Sequence, residues 1–118
     1  LYVTTCEYAL WATKGKHWTF NRSRSNYENA IFEYPSVHSS KRNHPTQKPV
    51  DLLKYLIQTY SNTGELILDN TAGSCSLASA AISTNRRYIC IERDRDFFEQ
   101  AVKRLNAQID ALNSYKTR

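Results

Sequence analysis

The sequence predicts an α/β fold, a partial Rossmann-like unit preceded by a loop-rich segment. Two short apolar runs carry that prediction. Leu66-Ile67-Leu68 leads into Asp69 and a tight turn, Asn70-Thr71-Ala72-Gly73-Ser74, and Tyr88-Ile89-Cys90-Ile91 leads into Glu92. Such runs suit parallel strands covered on both faces. Between them, Ala78, Ala80 and Ala81 suit a helix lying close to a sheet. A third observation is a helical stripe on either side of this unit.

The elements follow in order. Glu7 to Thr13 alternates weakly and is rich in Tyr, Leu and Trp, so it reads as a strand. Lys14-Gly15-Lys16 is a turn, and residues 17–48 are loop-like. A short extended piece is expected at Ile31-Phe32-Glu33-Tyr34, ended by Pro35. Pro49 stands where a helix begins, a favoured first-turn position. Val50, Leu53, Leu56, Ile57 and Tyr60 then recur at helical spacing, and Ser61-Asn62-Thr63-Gly64 closes that helix with a turn. The strand–turn–helix–strand unit comes next, with Asn85-Arg86-Arg87 breaking its helix. The last element is a helix from about Arg95 to Leu112. Its stripe of Phe98, Val102, Leu105, Ile109 and Leu112 reads as core packing without chemistry.

Composition narrows the classes. A chain of 118 residues suffices for one domain. It is 41% hydrophobic, with no apolar run long enough to span a membrane and no secretory signal. Cys6, Cys75 and Cys90 are odd in number and lack metal spacing. They read as reduced thiols in a cytoplasmic protein, with no metal site. The absence of Met and a start inside an apolar run, Leu1-Tyr2-Val3, suggest a piece of a longer protein.

Charge is uneven. Residues 1–49 hold seven basic side chains against three glutamates, whereas the remainder is nearly balanced. The excess lies in Lys14, Lys16, Arg22, Arg24, Lys41, Arg42 and Lys48, interleaved with Trp18, Phe20 and Tyr27. Basic groups neutralise phosphates and aromatic rings stack on bases, so this composition suits a loop docking on DNA or RNA. A solvated basic loop has the same composition.

The turn and the acid after the second strand point to a nucleoside ligand. Glu92 falls 23 residues after Asp69, and nucleotide-binding βαβ units place a ribose-binding carboxylate roughly 20 residues beyond the turn. Gly73 lets the backbone turn sharply and approach a ligand. Ser74 can cap the following helix and leave amides aimed at that ligand. The glycines do not follow G-x-G-x-x-G, and no basic phosphate ligand flanks the turn. A cofactor without phosphate, such as S-adenosylmethionine, therefore fits better than a dinucleotide. An ordinary βαβ unit with an exposed glutamate would show the same pattern. A second motif, His44-Pro45-Thr46-Gln47-Lys48-Pro49, is a polar loop stiffened by two prolines. Lys48 could pair with a carboxylate such as that of a methionine moiety, and a plain helix entry is the other reading.

Together, His44 to Pro49 followed by a helix, then Leu68 to Ser74, then Ile91-Glu92, resemble the C-terminal half of the amino-methylating DNA methyltransferases of the β arrangement. Glu7 to Lys14 looks like that family's strand before target recognition. The resemblance covers most of the chain and divides it into a strand of the methyltransferase sheet (1–14), a basic target-recognition-like segment (15–43) and a cofactor-binding portion (44–118). It implies a partial Rossmann-like S-adenosylmethionine-dependent methyltransferase fold. Asp69 and Gly73 would shape the cofactor pocket, Asn70, Thr71 and Ser74 would line the turn, Thr46, Lys48 and Pro49 would hold the methionine end, and Glu92 would take the ribose hydroxyls. Lys14, Lys16, Arg22, Arg24, Lys41 and Arg42 would contact double-stranded DNA. The family flips a base from the duplex and methylates its exocyclic amino nitrogen. The Asn70-Thr71 turn is similar to that of phage and restriction-system adenine methyltransferases, which implies adenine.

Two departures qualify this. Cys75 stands where the family's turn has its second glycine, which implies strain or a crowded cofactor if the backbone there is left-handed. The family's catalytic Asp-Pro-Pro-Tyr motif is absent, since Pro35, Pro45 and Pro49 are never adjacent. No catalytic residue is assigned, and the chain alone is expected to be inactive. The readings left open are a fragment of a DNA adenine methyltransferase, a nucleic-acid-binding remnant or subunit without cofactor, and an unrelated βαβ protein. A half-sheet with an open apolar edge also predicts self-association or pairing with a separate catalytic portion.

Overall fold

The computed structural model describes residues 6–22, 31–37, 40, 44–45 and 47–116. Its regular elements run in the order α1 (Val50–Tyr60), β1 (Leu66–Asp69), α2 (Ser76–Ser83), β2 (Arg87–Cys90) and α3 (Arg95–Lys116). β1 and β2 pair in parallel, with Leu66 opposite Arg87 and Asp69 opposite Cys90, so α2 is the crossover of a βαβ unit.

Each boundary has a local cause. Pro49 takes the N-cap of α1 in an extended conformation, and its carbonyl accepts the Leu53 amide. α2 ends where Thr84 folds its hydroxyl back onto the carbonyls of Ala80 and Ala81 and Asn85 turns left-handed at φ 56°. Asn is among the few residues that tolerate that region. α3 starts at Asp94, whose carboxylate accepts the Phe97 amide.

The core is built on α2. Ala78, Ala80 and Ala81 are wholly buried. Ala80 and Ala81 meet Ile57 of α1, with Ile67 and Tyr88 of the sheet beneath. Ala78 meets Ala101 and Leu105 of α3, with Tyr88 and Cys90 beneath. α2 thus packs against both other helices over one sheet face, and its methyl-sized side chains allow the close approach.

Several sequence expectations change. The strands are covered on one face, because side chains alternate across a strand. Ile67, Tyr88 and Cys90 point to the helices, while Leu66, Leu68, Ile89 and Ile91 stay about half exposed or more. Glu7–Thr13 and residues 31–34, expected as extended pieces, form no ladder among the described residues, and Tyr8 and Leu10 are fully exposed. A strand exists only through a neighbour, and neither β1 nor β2 pairs with them. The α3 stripe is also rotated: Ala101 and Leu105 are buried, whereas Phe98, Val102 and Leu112 remain 39–48% exposed.

Candidate functional site

The turn after β1 is stitched to the exit of β2. The Asp69 carboxylate accepts the Thr71 amide, the Asp69 carbonyl accepts the Ile91 amide, and the Ile91 carbonyl accepts the Ala72 amide. Gly73 follows at φ 50° and is buried, and a β-carbon there would meet the His44 ring at 3.3 Å. Glycine suits this left-handed backbone, and an added side chain would press on the His44 ring.

Ser74, expected as a helix cap, does not cap α2. Its hydroxyl meets that of Ser76 at 2.9 Å, and the N-cap is Cys75, at φ 52° and ψ 37° without a side-chain cap bond. The left-handed residue ends the turn one position later than a serine cap would. The expected glycine slot at position 75 is therefore left-handed and holds a cysteine, a strained choice. Its side chain does not crowd the pocket, because it packs into the core with Ala78, Ala101 and Leu105. Burial raises its pKa, and burial with Cys75 alongside pushes the Cys90 thiol up to about 12. Both stay protonated at neutral pH and supply no thiolate.

Beside the turn lies a cavity of about 330 Å³ lined by His44, Lys48, Leu53, Asp69, Thr71, Ala72, Gly73, Ser74, Ser76 and Leu77. Five of the expected cofactor residues, Lys48, Asp69, Thr71, Gly73 and Ser74, therefore share one wall system. Asn70 is exposed and Pro49 half-buried, and neither lines it. Thr46 lies outside the described residues. Glu92 is brought to the turn without lining the cavity: one carboxylate oxygen accepts the Gly73 amide at 2.6 Å and the other the Asp94 amide at 2.8 Å. The Asp94 amide foremost, then those of Gly73 and Arg93 with His44 nearby, hold this carboxyl below the usual range against a burial cost. A carboxylate offers about four lone-pair sites, so acceptor capacity remains for a hydroxyl donor.

Lys48 is ion-paired with Glu7, and both side chains are substantially exposed. Such a pair is weak and exchangeable. His44 rests on Gly73 and on the Phe97 ring, with centroids 4.3 Å apart. Sequence reasoning left His44, Leu53, Ala72, Ser76 and Leu77 unassigned. His44 lay within the motif, but Leu53 and Leu77 carry only a core signal.

Of the basic residues, Lys14, Lys16 and Arg22 are exposed, while Arg24, Lys41 and Arg42 lie outside the described residues. Trp18 and Phe20 do not stand apart among them. With Trp11 and Tyr60 they form a ring cluster whose centroids lie 4.9–6.0 Å apart.

A parallel βαβ unit with a glycine turn, a carboxylate at that turn and an adjoining cavity places the chain among Rossmann-like α/β proteins. The family model described as DNA methylase matches residues 2–103. The chain is 37% identical over 79 residues to the DNA adenine methyltransferase YhdJ of Escherichia coli K12, which covers 64% of this chain and 27% of that protein. It is 32% identical over 101 residues to the type II methyltransferase M.HpaI of Haemophilus parainfluenzae, covering 83% of this chain and 32% of that one. The crystal structure of the M1.HpyAVI–SAM complex superposes with a TM-score of 0.67 at 31% identity, over 76% of this chain and 45% of that chain. The chain belongs to the DNA methylase family, and its fold is a partial Rossmann-like methyltransferase fold. It spans about a third or less of the curated relatives it matches.

Proposed function

We propose that this chain is the cofactor-binding and target-recognition portion of an S-adenosylmethionine-dependent DNA methyltransferase acting on the exocyclic amino group of adenine. One observation carries the reading: Glu92 and the Gly73 turn meet directly at the edge of the cavity. The adenine activity named for YhdJ supports the choice of base.

The residues fit this cofactor. Gly73 keeps the turn free of a side chain, and Glu92 has acceptor capacity for ribose hydroxyls. Lys48 exchanges Glu7 for the carboxylate of the methionine moiety, beside Thr46 and Pro49. Asp69, Asn70, Thr71 and Ser74 shape the turn around the nucleoside. When bound, S-adenosylmethionine supplies an electrophilic methyl group. This chain holds the cofactor, and its 118 residues contain no Asp-Pro-Pro-Tyr motif to hold the acceptor amine. Lys14, Lys16, Arg22, Arg24, Lys41 and Arg42 contact the phosphates of double-stranded DNA. The alternative of a nucleic-acid-binding remnant relied on Cys75 closing the pocket, and Cys75 faces the core instead.

The reading also places the protein in the cytoplasm, in keeping with three free cysteines, and expects the open sheet face to meet a second copy or a separate catalytic portion. Calorimetric titration of the chain with S-adenosylhomocysteine tests the cofactor site. Binding that Glu92→Gln weakens about tenfold is expected, since the charged acceptor for the ribose hydroxyls is lost. A folded chain that binds none overturns the reading. With S-adenosylmethionine and DNA, no labelled methyl group is expected to reach the DNA, and incorporation would refute the assigned lack of a catalytic residue.

A further inference from the structure

Arg104 lies outside the cavity, on α3, with buried Ala101 and Leu105 as its helical neighbours. Its Nη2 donates a hydrogen bond to the carbonyl oxygen of Ser74. Its Nε is buried and finds no acceptor among the described residues. Burial lowers its pKa. A guanidinium in that position is expensive, because its charge is partly desolvated and one donor goes unused. An aliphatic side chain would fill the same place at lower cost, so packing alone does not explain an arginine.

Its contact does explain one. The carbonyl it grips belongs to the peptide between Ser74 and Cys75, and Cys75 is the left-handed, non-glycine residue that ends the turn. Flipping that peptide would relax Cys75 and would turn the wall formed by Gly73 and Ser74 away from the cavity.

We propose that Arg104 is a positioning residue for the cofactor turn: its bond to the Ser74 carbonyl holds the Ser74–Cys75 peptide in the orientation that keeps Cys75 left-handed and Gly73 and Ser74 facing the ligand. The proposal rests on the reading of the cavity as the cofactor site. It ties two features that look unrelated in sequence, a cysteine in a glycine slot and a half-buried arginine 29 residues later. Where glycine occupies the slot, the left-handed turn needs less help.

The test crosses Arg104→Gln with Cys75→Gly in the full chain, reading the S-adenosylhomocysteine dissociation constant and the melting temperature. Arg104→Gln alone is expected to weaken binding about tenfold, and in the presence of Cys75→Gly less than about threefold, a coupling within the range of contacting residues. Arg104→Lys, which still donates to a single carbonyl, is expected to recover much of the loss, and Arg104→Met, which keeps the aliphatic stem without a donor, replaces Arg104→Gln if that variant does not fold. A fall in melting temperature with unchanged affinity, or equal losses of affinity with and without Cys75→Gly, overturns the proposal. If the unmodified chain binds no S-adenosylhomocysteine, the cofactor reading fails and the melting temperatures decide for Arg104. The arginine substitution must then lower stability more beside Cys75 than in the Cys75→Gly variant, and equal falls refute it.

Discussion

Glu92 does structural work before any ligand arrives. Its carboxylate closes the loop between β2 and α3 through the Asp94 amide and fastens the turn after β1 through the Gly73 amide. A carboxyl held below its ordinary value stabilises the fold fully above that value, about 4.5, and the contribution disappears as pH falls through the lower folded value. Urea unfolding of wild type and Glu92→Gln between about pH 6 and pH 3 is therefore expected to show the difference between them shrinking toward acid. A difference independent of pH would mean that the amide bonds do not depend on the charge. The arrival of Glu92 at the turn was legible in its spacing from Asp69, because a βαβ unit fixes how far the second strand's end lies from the first turn. The conformation at Cys75 was legible as a glycine slot. That Ser74 would not cap α2 was not, since the position of the left-handed residue decides where the helix begins.

At the scale of elements, the C-terminus of α1 is held from outside the helix. The Asn21 side-chain amide donates to the carbonyls of Gln58 and Ser61 at 3.0 and 2.9 Å. The Arg86 guanidinium reaches the Ser61 carbonyl at 2.8 Å and the Thr84 carbonyl at 2.5 Å. One cation thereby joins the C-terminal ends of α1 and α2, where the helix dipole favours positive charge. Arg86→Leu is expected to destabilise the chain by about 2 kcal/mol in urea unfolding, the value of charged hydrogen bonds whose acceptors are left partly buried. A change under about 0.5 kcal/mol would place those carbonyls in contact with water instead. In sequence Arg86 read only as part of a helix break, and Asn21 as one polar residue in a loop. Their shared partner, the Ser61 carbonyl, lies 25 and 40 residues away, beyond any local pattern. The helices themselves were legible from periodicity, yet the inner face of α3 was not. Apolar residues recur on two adjoining faces, and only the packing on Ala78 selects Ala101 and Leu105 over Phe98 and Val102.

At the scale of the molecule, one sheet face carries α1, α2 and α3 and the other carries Leu66, Leu68, Ile89 and Ile91 at 48–62% exposure. Contiguous exposed apolar surface mediates association. Sedimentation at rising concentration is expected to show mass above that of a single chain, and Ile89→Lys is expected to reduce it. A single monomeric species across the range would contradict this. The βαβ unit was legible because its strands, turn and acid lie within a short window. The one-sided cover was not, because runs such as Leu66-Ile67-Leu68 look the same whether one face is covered or two.

Asn21 and His44 give the basic segment an architectural meaning. Asn21 is fastened to the C-terminal end of α1, and His44 enters just ahead of its N-terminal end. An 11-residue helix is about 16 Å long. The chain between Asn21 and His44 thus joins two fixed points, and Phe32 within it rests its ring on Tyr55 of α1 with centroids 5.2 Å apart. Lengthening such a bridge is cheap, since doubling its residues adds only about 0.6 kcal/mol of closure entropy. An insertion between the two points is therefore expected to cost the fold little, because α1 and the βαβ unit keep their own contacts.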